Sequence, residues 1–176
     1  MSSPLARVLA RSAARSASSA RVVSAARCSF SSSARTFEPS YTASAKASGA
    51  GRNGKVELTN GKEVVFKLAM PKELGGTGDG ENPERLFASG YASCFLSALQ
   101  LVAREAKIKL PEDLAIHADV TIAKGDDGFA LSAVLTGKSD KMPKDELKKL
   151  LHEAHKVCPY SKATRNNMPV ELKVAS

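Results

Sequence analysis

After Arg85, charge returns to this chain only at Arg104, Glu105 and Lys107. In between, Leu86, Phe87, Tyr91, Cys94, Phe95, Ala98, Leu99, Leu101 and Val102 recur at helical spacing and make one wide apolar face. A face this broad predicts a central, buried helix that other elements wrap. Its start is marked: Asn82 suits the N-cap, Pro83 the first helical position, and Glu84 the first turn, where the helix dipole favours negative charge. The helix is expected to run to about Lys107 and to stop before Pro111.

Short strands flank it. Lys55–Leu58 and Glu63–Leu68 are joined through Asn60-Gly61, a hairpin signal because both residues tolerate positive φ. Ile116–Ala123 alternates and Ala130–Thr136 follows, with Gly125-Asp126-Asp127-Gly128 turning the chain between them. A second helix starts at Pro143, with Leu147, Leu150, Leu151 and Ala154 inside and Lys144, Lys148 and Lys149 outside. It ends before Pro159, which opens a new helical turn and leaves Cys158 as that turn's N-cap. Val170–Val174 is a final strand. The order hairpin, helix, hairpin, helix, strand is that of an α+β chain. Residues 37–50, rich in Ser, Ala and Thr, are expected to be flexible, with order beginning at Gly51-Arg52-Asn53-Gly54.

The formal charge is +8, but six arginines (Arg7, Arg11, Arg15, Arg21, Arg27, Arg35) carry +6 of it within residues 1–37, a stretch without lysine or acid. The remaining +2 is spread without a basic block or interleaved aromatics, so the composition argues against nucleic-acid binding. An Arg-, Ser- and Ala-rich, acid-free start is the composition of a mitochondrial transit peptide. Residues 1–36 are therefore expected to be a disordered leader, cleaved between Arg27 and Thr36, addressing the protein to the matrix. Cys28 falls at its edge and is given no role. No stretch is read as long and apolar enough to insert in a membrane, which takes about 18 residues. In a reducing compartment cysteines serve catalysis or metal binding more often than structure.

Two cysteines remain. Cys94 in an apolar helix face reads as a small core residue, because burial disfavours the thiolate; a reactive Cys94 needs a nearby cation. Arg52, in its glycine-flanked loop, is a candidate for that cation or is a solvated loop arginine. Cys158 at a helical start has a setting that lowers a thiol pKa. The two can form a disulfide only if folding brings their Cα atoms within about 7 Å. A metal site of His152, His155, Cys158 and Cys94 competes with this, but the spacing of three drifts around a helix. The loop Gly75–Gly80 lacks the Gly-Lys-Ser/Thr ending of a phosphate loop. No Gly-x-Ser-x-Gly elbow is present.

Asn82-Pro83-Glu84-Arg85-Leu86-Phe87-Ala88-Ser89-Gly90-Tyr91-Ala92-Ser93-Cys94-Phe95 and Val157-Cys158-Pro159-Tyr160-Ser161-Lys162-Ala163-Thr164-Arg165 closely resemble the two cysteine segments of the organic hydroperoxide resistance proteins, a branch of the OsmC-like superfamily. The Arg52 loop resembles that family's upstream arginine loop, with Asn53 in place of an aspartate and Ala50 in place of a glycine. Asn166-Asn167 stands where the family has Gly-Asn; asparagine tolerates the left-handed geometry such a turn needs. The resemblance covers roughly residues 45–176.

It implies an OsmC-like fold over residues 51–176, with antiparallel sheets packed around the long helix in an intertwined homodimer. It implies Cys94 as the peroxidatic cysteine and Cys158 as the resolving one. Arg52 would stabilise the thiolate, and Glu84 would hold Arg52. It further implies no bound cofactor and a dithiol reductant, a dihydrolipoyl group on a lipoylated protein. The apolar face beside Cys94, with Phe87, Tyr91 and Phe95, is expected to receive fatty-acid-type hydroperoxides. Ten residues of helix separate Glu84 from Cys94 by about 15 Å, so a two-fold dimer is expected in which Glu84 and Arg52 serve Cys94 of the partner chain. The competing readings are a thiol redox protein with another oxidant, and a non-catalytic module binding a small apolar ligand or a protein.

Overall fold

A computed structural model describes residues 40–175. The leader expected over residues 1–36, Cys28 included, lies outside the described residues, as do residues 37–39. The described residues form strands β1 (Ala45–Ser48), β2 (Lys55–Leu58) and β3 (Val64–Lys67), then helix α1 (Pro83–Glu105). Strands β4 (Ala115–Gly125) and β5 (Gly128–Lys138), helices α2 (Lys144–Val157) and α3 (Pro159–Thr164), and strand β6 (Val170–Val174) follow. Two three-stranded sheets result, ordered β1-β2-β3 and β4-β5-β6.

The first sheet has two unlike faces. Its antiparallel register sets Ala45 against Leu58, Ala47 against Val56, Val56 against Phe66 and Leu58 against Val64. Paired residues share a face, so these six side chains make one apolar side, while Lys46, Lys55, Glu57 and Lys67 lie on the other. None of the six is fully buried in the single chain.

Strand β1 corrects the expectation that residues 37–50 are flexible throughout. Ala-Lys-Ala-Ser has no β-branched or aromatic residue to announce a strand, so pairing makes it one. Asn60 ties it down: its side chain accepts from the Ser44 amide at 2.7 Å and donates to the Thr42 carbonyl. The Gly51–Asn53 turn is thus the β1–β2 connection.

The second sheet corrects the expectation of purely antiparallel pairing. β4 and β5 form an antiparallel hairpin, but β6 pairs with β5 in parallel, Ala133↔Val170 to Gly137↔Val174. Helices α2 and α3 lie between β5 and β6 in the chain, which gives the long crossover that a parallel pair requires. β6 reaches only Ala133–Gly137, so the outer half of the hairpin has no third strand; Phe129 near its tip is 67% exposed.

Helix α1 lies along β4 and against α2, and α2 covers β5 and β6. Tyr91, Phe95 and Leu99 of α1 meet Leu135 of β5 and Leu147 and Leu151 of α2 in the core. Gly137 lets α2 approach this closely: a Cβ there would stand 3.0 Å from both Leu151 methyls. Contrary to expectation, α1 is long and apolar enough to cross a bilayer by length and composition. Burial of Tyr91, Phe95, Ala98, Leu99 and Ala103 accounts for part of that apolarity.

The ends of α1 follow from local chemistry. The Asn82 side chain accepts from the Arg85 amide at 2.9 Å, and Pro83 opens the helix. At the far end Lys107 is left-handed (φ 58°), with Ile108 N–H donating to the Ala103 carbonyl at 2.8 Å and Lys107 N–H to Arg104 at 3.1 Å. This is a Schellman closure with lysine where glycine is usual.

Candidate active site

Cys94 is the twelfth residue of α1 and Cys158 is the hinge between α2 and α3. Their Sγ atoms stand 3.7 Å apart, although the residues are 64 positions apart in sequence. Both are free thiols; Cys158 is fully buried and Cys94 is half-buried. Pro159 produces this meeting. It cannot continue α2, so the chain turns at Cys158 (φ −56°, ψ 126°) and restarts as α3, which lies back over α1.

The close approach of α3 has its own requirement. The Tyr160 ring lies over Gly90, one helical turn before Cys94; a Cβ at Gly90 would stand 2.9 Å from the Tyr160 hydroxyl. Tyr160 also stacks on Phe87, with ring centroids 5.8 Å apart and planes 20° apart. Below these rings, the Tyr91 hydroxyl meets Ser161 Oγ at 3.0 Å and Thr164 Oγ1 at 3.4 Å.

Burial pushes the Cys94 thiol above its ordinary pKa, the Tyr160 backbone amide draws it back down, and the neighbouring Cys158 pushes it further up. Arg52 is not among the groups acting on it. Instead the Arg52 guanidinium donates to the Glu84 carboxylate in the first turn of α1. That bond, with a smaller electrostatic contribution, raises Arg52; the same bond depresses Glu84 against the opposing effect of burial. The arginine loop is well held. Asn53 Oδ1 accepts from the Met70 amide at 2.9 Å, and at Gly54 a Cβ would collide with the Ser48 carbonyl at 2.1 Å.

The structure therefore brings the expected residues together in two pairs, Cys94 with Cys158 and Arg52 with Glu84. Clefts of about 310 and 610 Å³ along α1 and β4 include Glu84 in the first and Arg85, Ala88 and Ala118 in both; Cys94 lines neither. The substrate-contact expectation needs correction for two residues. Tyr91 and Phe95 are 0% exposed and belong to the core; Phe87 is half-buried beside Tyr160. Helical periodicity puts core and pocket residues on the same face, so it could not separate them.

Sequence reasoning missed Tyr160, Ser161, Thr164 and Gly90 as parts of the site. A mid-helix glycine costs about 1 kcal/mol against alanine, and that cost was the available signal for Gly90. Asn166 does adopt the left-handed conformation, φ 64°. His155 packs on Phe95, with centroids 6.4 Å apart, and burial and then Arg165 and His152 lower its pKa. Among the described residues, no group of three or more His, Cys, Asp or Glu is gathered to hold a metal.

A family profile described as OsmC-like protein matches residues 76–173, a range containing Glu84, Cys94 and Cys158 and leaving Arg52 outside. The organic hydroperoxide resistance protein of Xanthomonas axonopodis pv. citri is 46% identical over 136 residues, covering 77% of this chain and 94% of its own. OhrA of Bacillus subtilis, also an organic hydroperoxide resistance protein, is 41% identical over 143 residues, covering 78% of this chain and 98% of its own. Among solved structures, an organic hydroperoxide resistance protein from Legionella pneumophila matches with a TM-score of 0.72 at 45% identity, over 79% of this chain and 100% of that one. One from Vibrio cholerae, with captopril in one of its active sites, matches at 0.71 and 41% identity, over 80% of this chain and 95% of that one.

Proposed function

The chain belongs to the OsmC-like family and, within it, to the organic hydroperoxide resistance proteins, cysteine-based peroxidases; we propose that it reduces fatty-acid-type hydroperoxides through Cys94 and Cys158. The Cys94 thiolate attacks the terminal oxygen of ROOH. The O–O bond breaks, an alcohol leaves after protonation, and Cys94 becomes a sulfenic acid. The Cys158 sulfur then displaces hydroxide from Cys94, giving the Cys94–Cys158 disulfide and water. A dithiol of the dihydrolipoyl kind returns both thiols by exchange and is itself oxidised to a cyclic disulfide.

One observation carries this reading: the two sulfurs already stand 3.7 Å apart, so about 1.7 Å of closure makes the bond.

A homodimer is part of the same proposal. The apolar face of the first sheet and the inner face of the β4–β5 overhang are both left partly open by the single chain. Arg52 and Glu84 are paired with each other at the start of α1, and Glu84 lies ten residues, about 15 Å of helix, before Cys94. A partner chain that filled these faces could set its own Arg52–Glu84 pair beside this Cys94. The acid-free, Arg-rich leader supports a matrix address, where lipoylated proteins would be neighbours.

The test is a thiol count on the leader-free protein after one equivalent of cumene hydroperoxide, beside a Cys94→Ser variant. Two thiols should vanish within seconds, with an intrachain disulfide that dihydrolipoamide reverses. Thiols that last through minutes of exposure would sink the proposal and leave a binding module.

A further inference from the structure

The hydroxyls of Tyr91, Ser161 and Thr164 form a closed set in the interior. Tyr91 and Ser161 are wholly buried and Thr164 nearly so. Thr164 Oγ1 faces two carbonyls of its own helix, Tyr160 at 3.0 Å and Ser161 at 3.3 Å. The Tyr91 hydroxyl meets Ser161 Oγ at 3.0 Å, where either oxygen can donate, and lies 3.4 Å from Thr164 Oγ1. Ser161, Tyr91 and Thr164 thus make one chain of hydroxyls that closes onto the α3 backbone.

That chain runs between the two helices that bear the cysteines. Tyr91 precedes Cys94 by three residues on α1, close to one helical turn, and so shares its side of the helix. Ser161 and Thr164 lie on α3, which begins at Cys158. The chain ends on the carbonyl of Tyr160, the residue whose amide acts on Cys94. A helix of six residues does not hold itself; besides these hydroxyls it is tied by the Tyr160 ring on Phe87 and Tyr91 and by Arg165, which donates to the His155 carbonyl at 3.0 Å. The aromatic stack on Phe87 limits tilt but carries no directional bond along the helix axis.

Resting on the peroxidase reading above, we infer that Tyr91 is a positioning residue for the second chemical step: through Ser161 and Thr164 it holds α3 so that Cys158 reaches the Cys94 sulfenic acid. The step is Cys94–SOH plus Cys158–SH giving the disulfide and water, with no other reagent. It competes with Cys94–SOH plus a second ROOH, which gives the sulfinic acid and an alcohol. A sulfur pair 3.7 Å apart wins that competition only while it stays in register. The first step, attack on the hydroperoxide, makes no bond to Cys158 and feels α3 only through the Tyr160 amide beside Cys94.

Quenched-flow with mass readout separates these steps in wild type, Tyr91→Phe, Ser161→Ala and the double variant. Dimedone captures the sulfenic acid, and alkylation counts the remaining thiols. The expected result is disulfide closure slowed about three- to tenfold, the range for losing one buried neutral hydrogen bond, with Cys94 oxidation slowed by less than that. Sulfinic acid should accumulate with excess peroxide, and the double variant should be no slower than either single one. Closure at the wild-type rate in Tyr91→Phe overturns the inference. So does a parallel fall of both steps with thermal stability, which is a packing effect only. Wild type that forms no Cys94–Cys158 disulfide overturns the peroxidase reading itself, a result visible before any variant is made.

Discussion

The Arg52 guanidinium is held by the Glu84 carboxylate in the first turn of the helix that carries Cys94. The cation that the proposed mechanism would use is thus held by a carboxylate, while burial pushes the Cys94 thiol above its ordinary pKa.

Glu84 therefore contributes stability with a definite pH signature. Its pKa is depressed in the fold, so the contribution is present above the unfolded carboxylate value of about 4.3 and lost as pH falls through the depressed one. Glu84→Gln should lower the urea midpoint at pH 7 but not in strong acid. Arg52 is 36% exposed, so the loss should be about 1 kcal/mol or less. A gap that widened on acidification would contradict the pairing.

Cys94 gives the complementary test. Burial raises its pKa, so without a cation its alkylation rate should climb about tenfold per pH unit past the ordinary thiol value of about 8.5. Arg52→Ala should behave that way. A wild-type dimer with Arg52 of the partner subunit beside the thiol should level off at lower pH. Identical profiles for the two proteins would remove Arg52 from thiolate stabilisation.

Gly90→Ala should separate stability from chemistry. The new Cβ meets the Tyr160 ring, 2.9 Å from its hydroxyl, and must displace the ring or α3 with it. Alanine's helical advantage of about 1 kcal/mol offsets the strain, so the melting temperature should change little. Disulfide closure, read as loss of the second thiol, should slow several-fold.

Lys107→Gly should stabilise the protein by about 0.5–1 kcal/mol. Lysine sits at φ 58° in the closing turn of α1, where glycine has no side-chain penalty. Its position beyond Glu105 is far along the helix from Cys94, so peroxide reduction should be unchanged. A urea denaturation midpoint that fell instead would mean that the lysine side chain makes a contact worth more than the backbone cost.

The helices and the last strand were legible because their signals are local. Asn82-Pro83 caps α1, Pro159 breaks α2 at Cys158, and Val170–Val174 alternates over the length it occupies. β1 was not legible, since its alanines pair only because Val56 and Leu58 lie opposite. Nor was the parallel entry of β6, which depends on where α2 sets the chain down. At the site, the cysteines were singled out by type and their meeting was a matter of fold. The hydroxyls of Ser161 and Thr164 carry no local signal, because their partner Tyr91 is about 70 residues away in sequence.

The overhanging β4–β5 hairpin has a thermodynamic meaning of its own. From Ser132 to its tip it lacks a third strand, and its inner side chains Ile122 and Leu131 are only half-buried. If a partner chain covers that surface, the protein has no single unfolding temperature. In a dimer of the proposed kind, the midpoint would climb with the logarithm of protein concentration, and dilution alone would act as a denaturant.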